Sequence, residues 1–364
     1  MKIPIEDCRE AFKIVDQVDT QPGLPSSMFV RLAGKNSKFQ LSLTGLCVGR
    51  ATVATDDPGE WSWYVDRRIF GAFLASTKAK TVSLDILGEA KDVLRLQSGR
   101  HKVSAAGMEA ISGYANWTPK TVTELPLSPA MRKELVMLAE YAPTTAAADH
   151  LSAVYLVKGY GVIATDSFVV AASIDPAITH TFPLPVVLSR SLTANGTGTE
   201  SLLLDKNGAG IRYNKGYLYQ PQNQLCLSSY PLKKIQDVVT ARLAIKPTLK
   251  VAAGVFRDAL TRLRGFVFGA DTDLRIHCQP GKVPGSVLLT MDLAQGKVQT
   301  SMAVASAAEN FETSWLVPKI TPWVEYIAGL SDEVVISCGF DEECSVFQAL
   351  HQKRRRLLVV AASS

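Results

Sequence analysis

The chain has 364 residues, 47% of them hydrophobic and 20% charged, and a formal charge of +5 from 39 Lys and Arg against 34 Asp and Glu. That fits a globular chain with room for two or three cores of roughly 100–200 residues each, and the charge is too mild to establish a polyanion partner by itself. Six scattered cysteines without a CxxC pair argue against a disulfide framework or zinc site, the start MKIPIEDCRE turns acidic before a signal-peptide core develops, and no apolar run is long enough to span a bilayer, so a reducing, cytoplasmic setting is expected.

In chain order, apolar residues Cys8, Ala11, Phe12, Val15 and Val18 predict a helix over about 5–18. The breaker Gln21-Pro22-Gly23-Leu24-Pro25 follows, then strands near 29–32, 39–43 and 50–54. Trp63 to Leu74 reads as a short strand ending at Val65, a helix start at Asp66, and a helix with Ile69, Phe70, Phe73 and Leu74 as its apolar stripe. Strands at 81–87, 93–97 and 101–105 complete a first module.

The same programme returns twice. Leu184-Pro185 and Val317-Pro318 repeat the strand-to-helix junction at Val65-Asp66, 119 and then 133 residues further on. Asp can cap a helix, and Pro suits a first helical turn because its missing N–H is not needed there. The second copy has a helix at 129–141, strands at 152–157, 161–164 and 169–174, a helix near 186–193, and strands at 201–205, 210–213 and 216–220. The third has a helix near 252–263, strands at 273–278, 286–292 and 297–303, a helix at 321–330, and strands at 333–338, 345–350 and 357–361. Loop insertions at 279–285 and 305–312 absorb its extra length. The expected architecture is α+β, with modules at 1–122, 123–243 and 244–364, each an antiparallel sheet covered by two helices.

At these residues the chain resembles the bacterial-type DNA polymerase III β sliding clamp family, across its whole length. Val162-Ile163-Ala164-Thr165-Asp166-Ser167-Phe168-Val169-Val170 is similar to the family's V-A-T-D-G-H-R-L segment. Tyr230-Pro231-Leu232-Lys233-Lys234-Ile235 is similar to F-P-x-x-R-R-V, one position shorter. Gln21 to Pro25 resembles R-P-x-L-P, and Val65-Asp66-Arg67-Arg68 resembles V-P-A-R. Ser167-Phe168-Val169 replaces the family's Gly-His-Arg, Val360-Ala361-Ala362-Ser363-Ser364 replaces its M-P-M-R-L ending, and Gln21 stands where an Arg near DNA is expected. These departures fit a divergent, phage- or plasmid-encoded version.

The resemblance implies half of a six-module ring, a homodimer around duplex DNA that acts as a processivity factor, without catalysis or cofactor. It implies a groove for short peptides of the polymerase and the clamp loader, lined by Leu151, Thr165, Phe168, Val169, Val170, Pro231, Ile235, Leu358 and Val360. For Val169, Val170 and Ile235, ordinary core packing is an equal alternative. Basic residues on the outward helix stripes, Lys13, Arg67, Arg68, Arg132, Lys133, Arg190, Arg257, Arg264 and Lys319, are the expected DNA contacts. Arg257, Thr261 and Arg264 share one helix face, opposite Val255, Phe256, Ala259, Leu260 and Leu263. Duplex phosphates, one charge per ~1.7 Å of axis, can be followed by such cations without base reading. Solvated helix faces explain each cation singly, and Glu10, Asp16, Glu134 and Asp258 dilute the stripe. The run Lys353 to Arg356 reads equally as a contact for DNA or acidic partners and as a solubilising turn. Phe266 and Phe268 are candidate dimer-interface residues, or a cover for their helix end.

No GxSxG elbow is present; Ala33-Gly34-Lys35-Asn36-Ser37 lacks the upstream glycine of a phosphate loop. The five histidines show no metal-ligand spacing. Asp166, Asp149 and His150 are the one imaginable acid/base group. A β-rich virion assembly protein and a hydrolase with an unrecognised site are the competing classes.

Overall fold

A computed structural model describes residues 1–18, 25–56, 59–87, 93–106, 108, 118–119, 122–143, 151–192, 201–205, 208–221, 230–267, 274–293, 296–341 and 344–361. The breaker residues 21–24, Asp149, His150, Phe268 and 362–364 lie outside the described residues.

In chain order the elements are β1 (Lys2–Pro4), α1 (Ile5–Val15), β2 (Phe29–Lys35), β3 (Lys38–Thr44), β4 (Val48–Ala54), β5 (Trp61–Asp66), α2 (Arg67–Ser76), β6 (Thr81–Leu87), β7 (Val93–Ser98), β8 (His101–Ala106) and β9 (Thr123–Pro126). Then come α3 (Pro129–Ala139), β10 (Ala153–Val157), β11 (Gly161–Thr165), β12 (Val169–Ile174), β13 (Phe182–Pro185), α4 (Val186–Ser191), β14 (Ser201–Asp205), β15 (Gly208–Tyr213) and β16 (Gly216–Pro221). The last part holds α5 (Leu232–Leu243), β17 (Leu249–Ala252), α6 (Ala253–Arg264), β18 (Arg275–Pro280), β19 (Ser286–Leu293), β20 (Gly296–Ala303), β21 (Ser306–Ala307), β22 (Thr313–Leu316), α7 (Val317–Ala328), β23 (Val335–Phe340), β24 (Cys344–His351) and β25 (Arg354–Ala361). The fold is α+β with antiparallel sheets.

By contacts the chain divides into two compact units, Met1–Ser128 with Arg190–Leu225, and Pro129–Ser189 with Cys226–Ser364. The first holds a four-stranded sheet, β1-β6-β7-β8, and an eight-stranded sheet, β5-β2-β3-β4-β16-β15-β14-β9. The second holds a nine-stranded sheet, β13-β10-β11-β12-β25-β24-β23-β17-β21, and a four-stranded sheet, β20-β19-β18-β22. Both large sheets form where strands far apart in sequence meet edge to edge: β4 on β16 in the first unit, and β12 on β25 in the second.

Local rules explain most boundaries. The Asp66 carboxylate accepts from the backbone N–H groups of Arg68 (2.8 Å) and Ile69 (3.3 Å), capping α2. Burial pushes its pKa up, but hydrogen bonds from the Arg68 side chain and these N–H groups outweigh that and hold it below the usual carboxylate value. Pro318 sits in the first turn of α7, whereas Pro185 ends β13 and the helix opens at Val186. Two expected core positions face outward: Ile69 and Val255 are 42% and 40% exposed, because the apolar stripes of α2 and α6 are one residue narrower than the sequence suggests. Helix α5 was not expected, although Leu232, Ile235, Val239 and Leu243 hold helical spacing. Strands β1, β9 and β17, of three or four residues, are too short to show a period.

In the second unit, alternation along β12 and β25 separates two faces. Ala172 and Leu357 pack with Ile235 and Val239 of α5. Ser173 and Arg356 turn to the other face, where α3 presents the fully buried Glu134. Glu134 Oε1 accepts from Arg356 Nε (2.9 Å), Ser173 Oγ (2.6 Å) and Tyr326 Oη (3.3 Å), and the Arg356 guanidinium lies 5.7 Å from the Tyr326 ring centre. Arg354 pairs with Asp175 at 2.7 Å. Two members of the basic run are therefore engaged inside their own unit, and Glu134 is a core anion that contributes nothing to an outward stripe.

Candidate functional site

An apolar cleft lies in the second unit, where the turn between β11 and β12, the start of α5 and the end of β25 converge. It has a volume of about 360 Å3 and a mostly apolar lining. Side chains make its shape in three steps. Thr165 Oγ1 donates to the Val169 carbonyl (2.7 Å) and accepts from Ser167 N–H (3.1 Å), while Asp166 Oδ1 accepts from the N–H groups of Phe168 (3.0 Å) and Val169 (2.8 Å). This tight turn forces Ser167 to φ +80°, a left-handed conformation that favours glycine. Phe168 is pushed out at the tip, 72% exposed, and its carbonyl accepts from Ala361 N–H at 2.9 Å, which docks the end of β25.

On the other side, Tyr230 stacks on Tyr155 with ring centres 3.5 Å apart, which fixes the entry to α5. Burial, and secondarily Tyr155, raises the Tyr230 pKa, so its hydroxyl stays protonated. Helix α5 then aligns Ile235, Val238 and Arg242 along the cleft. Arg242 is held by Asp341, whose other carboxylate oxygen accepts from Cys344 N–H at 2.7 Å.

Of the groove residues expected from sequence, Leu151, Thr165, Phe168, Val170, Pro231 and Ile235 line this cleft. Val169, Leu358 and Val360 do not; they are buried on the opposite face of β12 and β25. Because side chains alternate, Val170 pairs with Val359 on the cleft side, and Val359 and Ala361 occupy the places expected of Leu358 and Val360. The frame on β25 was displaced by one residue. Lys234, Val238 and Arg242 were missed with α5, and their helical spacing was the signal that would have found them.

The expected DNA-contacting cations are dispersed over several helices. Lys13 on α1 and Lys133 on α3 are exposed and carry no ion pair among the described residues. Arg67 is half-buried, bonded to the Asp16 carboxylate at 2.5 Å and to the carbonyls of Asp16 and Val18. Arg68 is exposed beside Asp66, at 3.2 Å. Arg257 pairs with Asp258 and Asp332, both at 3.1 Å, and Arg264 with Glu325 at 2.9 Å. Lys319 pairs with Asp166 beneath the cleft turn. Arg132 is half-buried on α3, and Arg190 is exposed at the end of α4. Phe266 is 53% exposed just beyond α6.

Among the described residues no group of three or more His, Cys, Asp or Glu is placed to hold a metal ion, and no helix is long and apolar enough to cross a membrane. Asp166 serves the turn and Lys319, and the five described cysteines are free and buried.

No protein-family model matches the sequence, and no curated protein matches it. Solved structures do match. The DNA polymerase III beta chain of Streptococcus pneumoniae superposes with a TM-score of 0.80 at 15% identity, covering 100% of this chain and 99% of that one. The DNA polymerase sliding clamp of Bacillus subtilis gives 0.79 at 12% identity, covering 100% and 98%. The DNA polymerase III beta subunit of Thermotoga maritima gives 0.78 at 15% identity, covering 100% and 99%. The chain therefore has the DNA clamp fold from end to end.

Proposed function

We propose that this protein is a DNA sliding clamp, a non-catalytic processivity factor in which two copies close a ring around duplex DNA and hold a polymerase by a short peptide. The observation that carries the reading is a vacancy in the strand pairing. Reading the chain as three repeats, the third strand of each first half is β4, β12 and β20, and the last strand of each second half is β8, β16 and β25. Four of the six are joined within the chain, as β4–β16 and β12–β25. The other two, β20 and β8, are terminal strands of the four-stranded sheets. A second copy offers β8 to β20 and β20 to β8, which gives two equivalent joints and a closed assembly of six modules. Phe266, exposed beyond α6, is a further apolar group that a second copy would cover.

In this reading the cleft around Phe168 receives the apolar anchors of a polymerase or clamp-loader peptide, since most of its lining residues are apolar. Duplex DNA is held loosely by helix-borne cations, Lys13, Arg67, Arg68, Arg132, Lys133, Arg190, Arg257, Arg264 and Lys319. The many carboxylate partners of these residues suit a sliding contact, because a duplex then meets cations whose charge is already partly offset. The test is topological. Protein loaded on nicked circular DNA should co-elute with it at moderate salt and be lost once the circle is linearised. Equal retention on circle and linear form rejects the ring.

A further inference from the structure

The cleft of the second unit is shaped by a residue that does not line it. Lys319, the third residue of α7, stands 153 positions from Asp166 in the chain, and its ammonium donates to Asp166 Oδ2. The other carboxylate oxygen accepts from the N–H groups of Phe168 and Val169, so one side chain joins α7 to the turn between β11 and β12. The Asp166 side chain is only 16% exposed, and no second cation pairs with it among the described residues.

The helix turn that carries Lys319 is itself pinned. Val317 N–H donates to the Leu274 carbonyl at 2.9 Å, and Thr321 Oγ1 donates to the Val317 carbonyl at 2.7 Å. Pro318 and Pro322 stand four residues apart, each with φ fixed by its ring, and Pro322 has no N–H to return to the Pro318 carbonyl. Just beyond them Trp323 N–H donates to the hydroxyl of the buried Tyr141 at 3.1 Å. Two prolines and a buried hydroxyl leave this turn few other conformations, so the ammonium of Lys319 starts from a fixed place.

The turn it reaches is the strained one, with Ser167 at φ +80°. Two charge-assisted bonds from Asp166 oppose that strain only while the carboxylate keeps its rotamer. Without Lys319 a mostly buried carboxylate has no cation and gains by turning to water, which frees the N–H groups of Phe168 and Val169. Ser167 and Phe168 wall the cleft, and so does Ala361, whose N–H donates to the Phe168 carbonyl. We propose that Lys319 is a positioning residue for the peptide cleft, acting through Asp166 on the turn and the end of β25. The assignment rests on the peptide reading of the cleft and gives Lys319 a task besides its place among the helix cations. A cleft held ready in this way binds more tightly, because the peptide does not bear the cost of ordering it.

Amide hydrogen exchange of the intact protein over 166–170 and at Ala361 reads the turn without any ligand. Lys319→Ala should speed exchange there by about tenfold, the scale of one hydrogen bond to a charged group, while β10, β11 and the unfolding midpoint stay as in the wild type. Lys319→Arg, which keeps a cation, should restore most of the protection. Binding is read by anisotropy with fluorescein-labelled Leu-Ala-Leu-Phe-amide, a short chain of apolar anchors. Lys319→Ala and Asp166→Asn should each weaken it by about tenfold, and the double variant by no more than the worse single, because both break one contact. Unchanged turn exchange in Lys319→Ala overturns the proposal, and so does faster exchange across the whole unit with a fallen midpoint. Additive losses in the double variant, or wild-type peptide affinity in Lys319→Ala, also overturn it. A wild type that binds no such peptide, while its turn still responds to Lys319→Ala, rejects the peptide reading and upholds the assignment of Lys319.

Discussion

Strands β12 and β20 hold the same place in the repeated programme, yet their surroundings differ. Strand β12 is buried along most of its length and is zipped to β25 through six paired positions, from Val169 with Val360 to Ile174 with Arg355. Strand β20 has a single buried residue, Met302, and among the described residues pairs with β19 alone. Strand β8 resembles β20, with Ala105 its one buried residue. An antiparallel strand carries the same backbone donors and acceptors at every copy, so what differs is whether the chain supplies a neighbour. Where it does, valine and leucine fill both faces; where it does not, lysine, glutamine, serine and threonine keep the edge soluble.

At the closed seam the buried ion pair carries the most stability. Glu134→Ala leaves Arg356 buried without its anion, and a loss of about 3–5 kcal/mol is expected in denaturant unfolding. Replacing both residues by leucine should recover most of it, since an apolar pair of similar volume is often neutral. A loss below about 1 kcal/mol for Glu134→Ala would show that the network does not hold α3 to β25.

The open edge is tested with proline. Successive residues of an antiparallel strand direct their N–H groups to opposite sides, so one of Thr300→Pro and Ser301→Pro removes a donor facing away from β19. That variant should keep the wild-type unfolding midpoint while light scattering reports 39.4 kDa where the wild type gives twice that mass. A wild-type monomer at high concentration removes the vacancy argument altogether.

Phe168 stands at the mouth of the closed seam and is mostly solvent-exposed, so Phe168→Ala should change stability by no more than about 0.5 kcal/mol. Calorimetry with a clamp-binding polymerase peptide should show affinity falling by about tenfold, as expected for an aromatic hot spot. Unchanged affinity would move the peptide site elsewhere.

Away from both strands, Asp66→Ala should cost about 1 kcal/mol at neutral pH and Asp66→Asn only a fraction of that. The folded-state pKa of Asp66 lies below its unfolded value, so its ionised form stabilises the protein above the unfolded pKa. That contribution disappears as pH falls through the depressed folded value. The gap between wild type and Asp66→Ala should therefore narrow in acid, and a pH-independent gap would contradict the cap's charge. A gain is expected at the cleft turn: Ser167→Gly relieves the left-handed backbone and should stabilise by about 0.5–1 kcal/mol, since glycine reaches that region without strain. A destabilised variant would mean that the serine side chain outweighs the strain.

Much of this was legible in the chain itself. The strand-to-helix junctions at Val65-Asp66 and Val317-Pro318 and the α+β class follow from local pattern, because helix caps, prolines and apolar period act over a few residues. Six of the nine groove residues that the family resemblance implied line the cleft, because the resemblance rests on the two segments that form its turn and the entry to α5. The remaining features depend on neighbours distant in the chain. Val169, Leu358 and Val360 face away from the cleft because the β12–β25 register, set by a strand almost two hundred residues distant, chooses which alternate side chains point inward. Glu134 and Arg356 look like surface charges in the sequence, and the same seam buries them as a pair. Apolar period names the residues that seek a core, but only the pairing of distant strands determines which face that core is on.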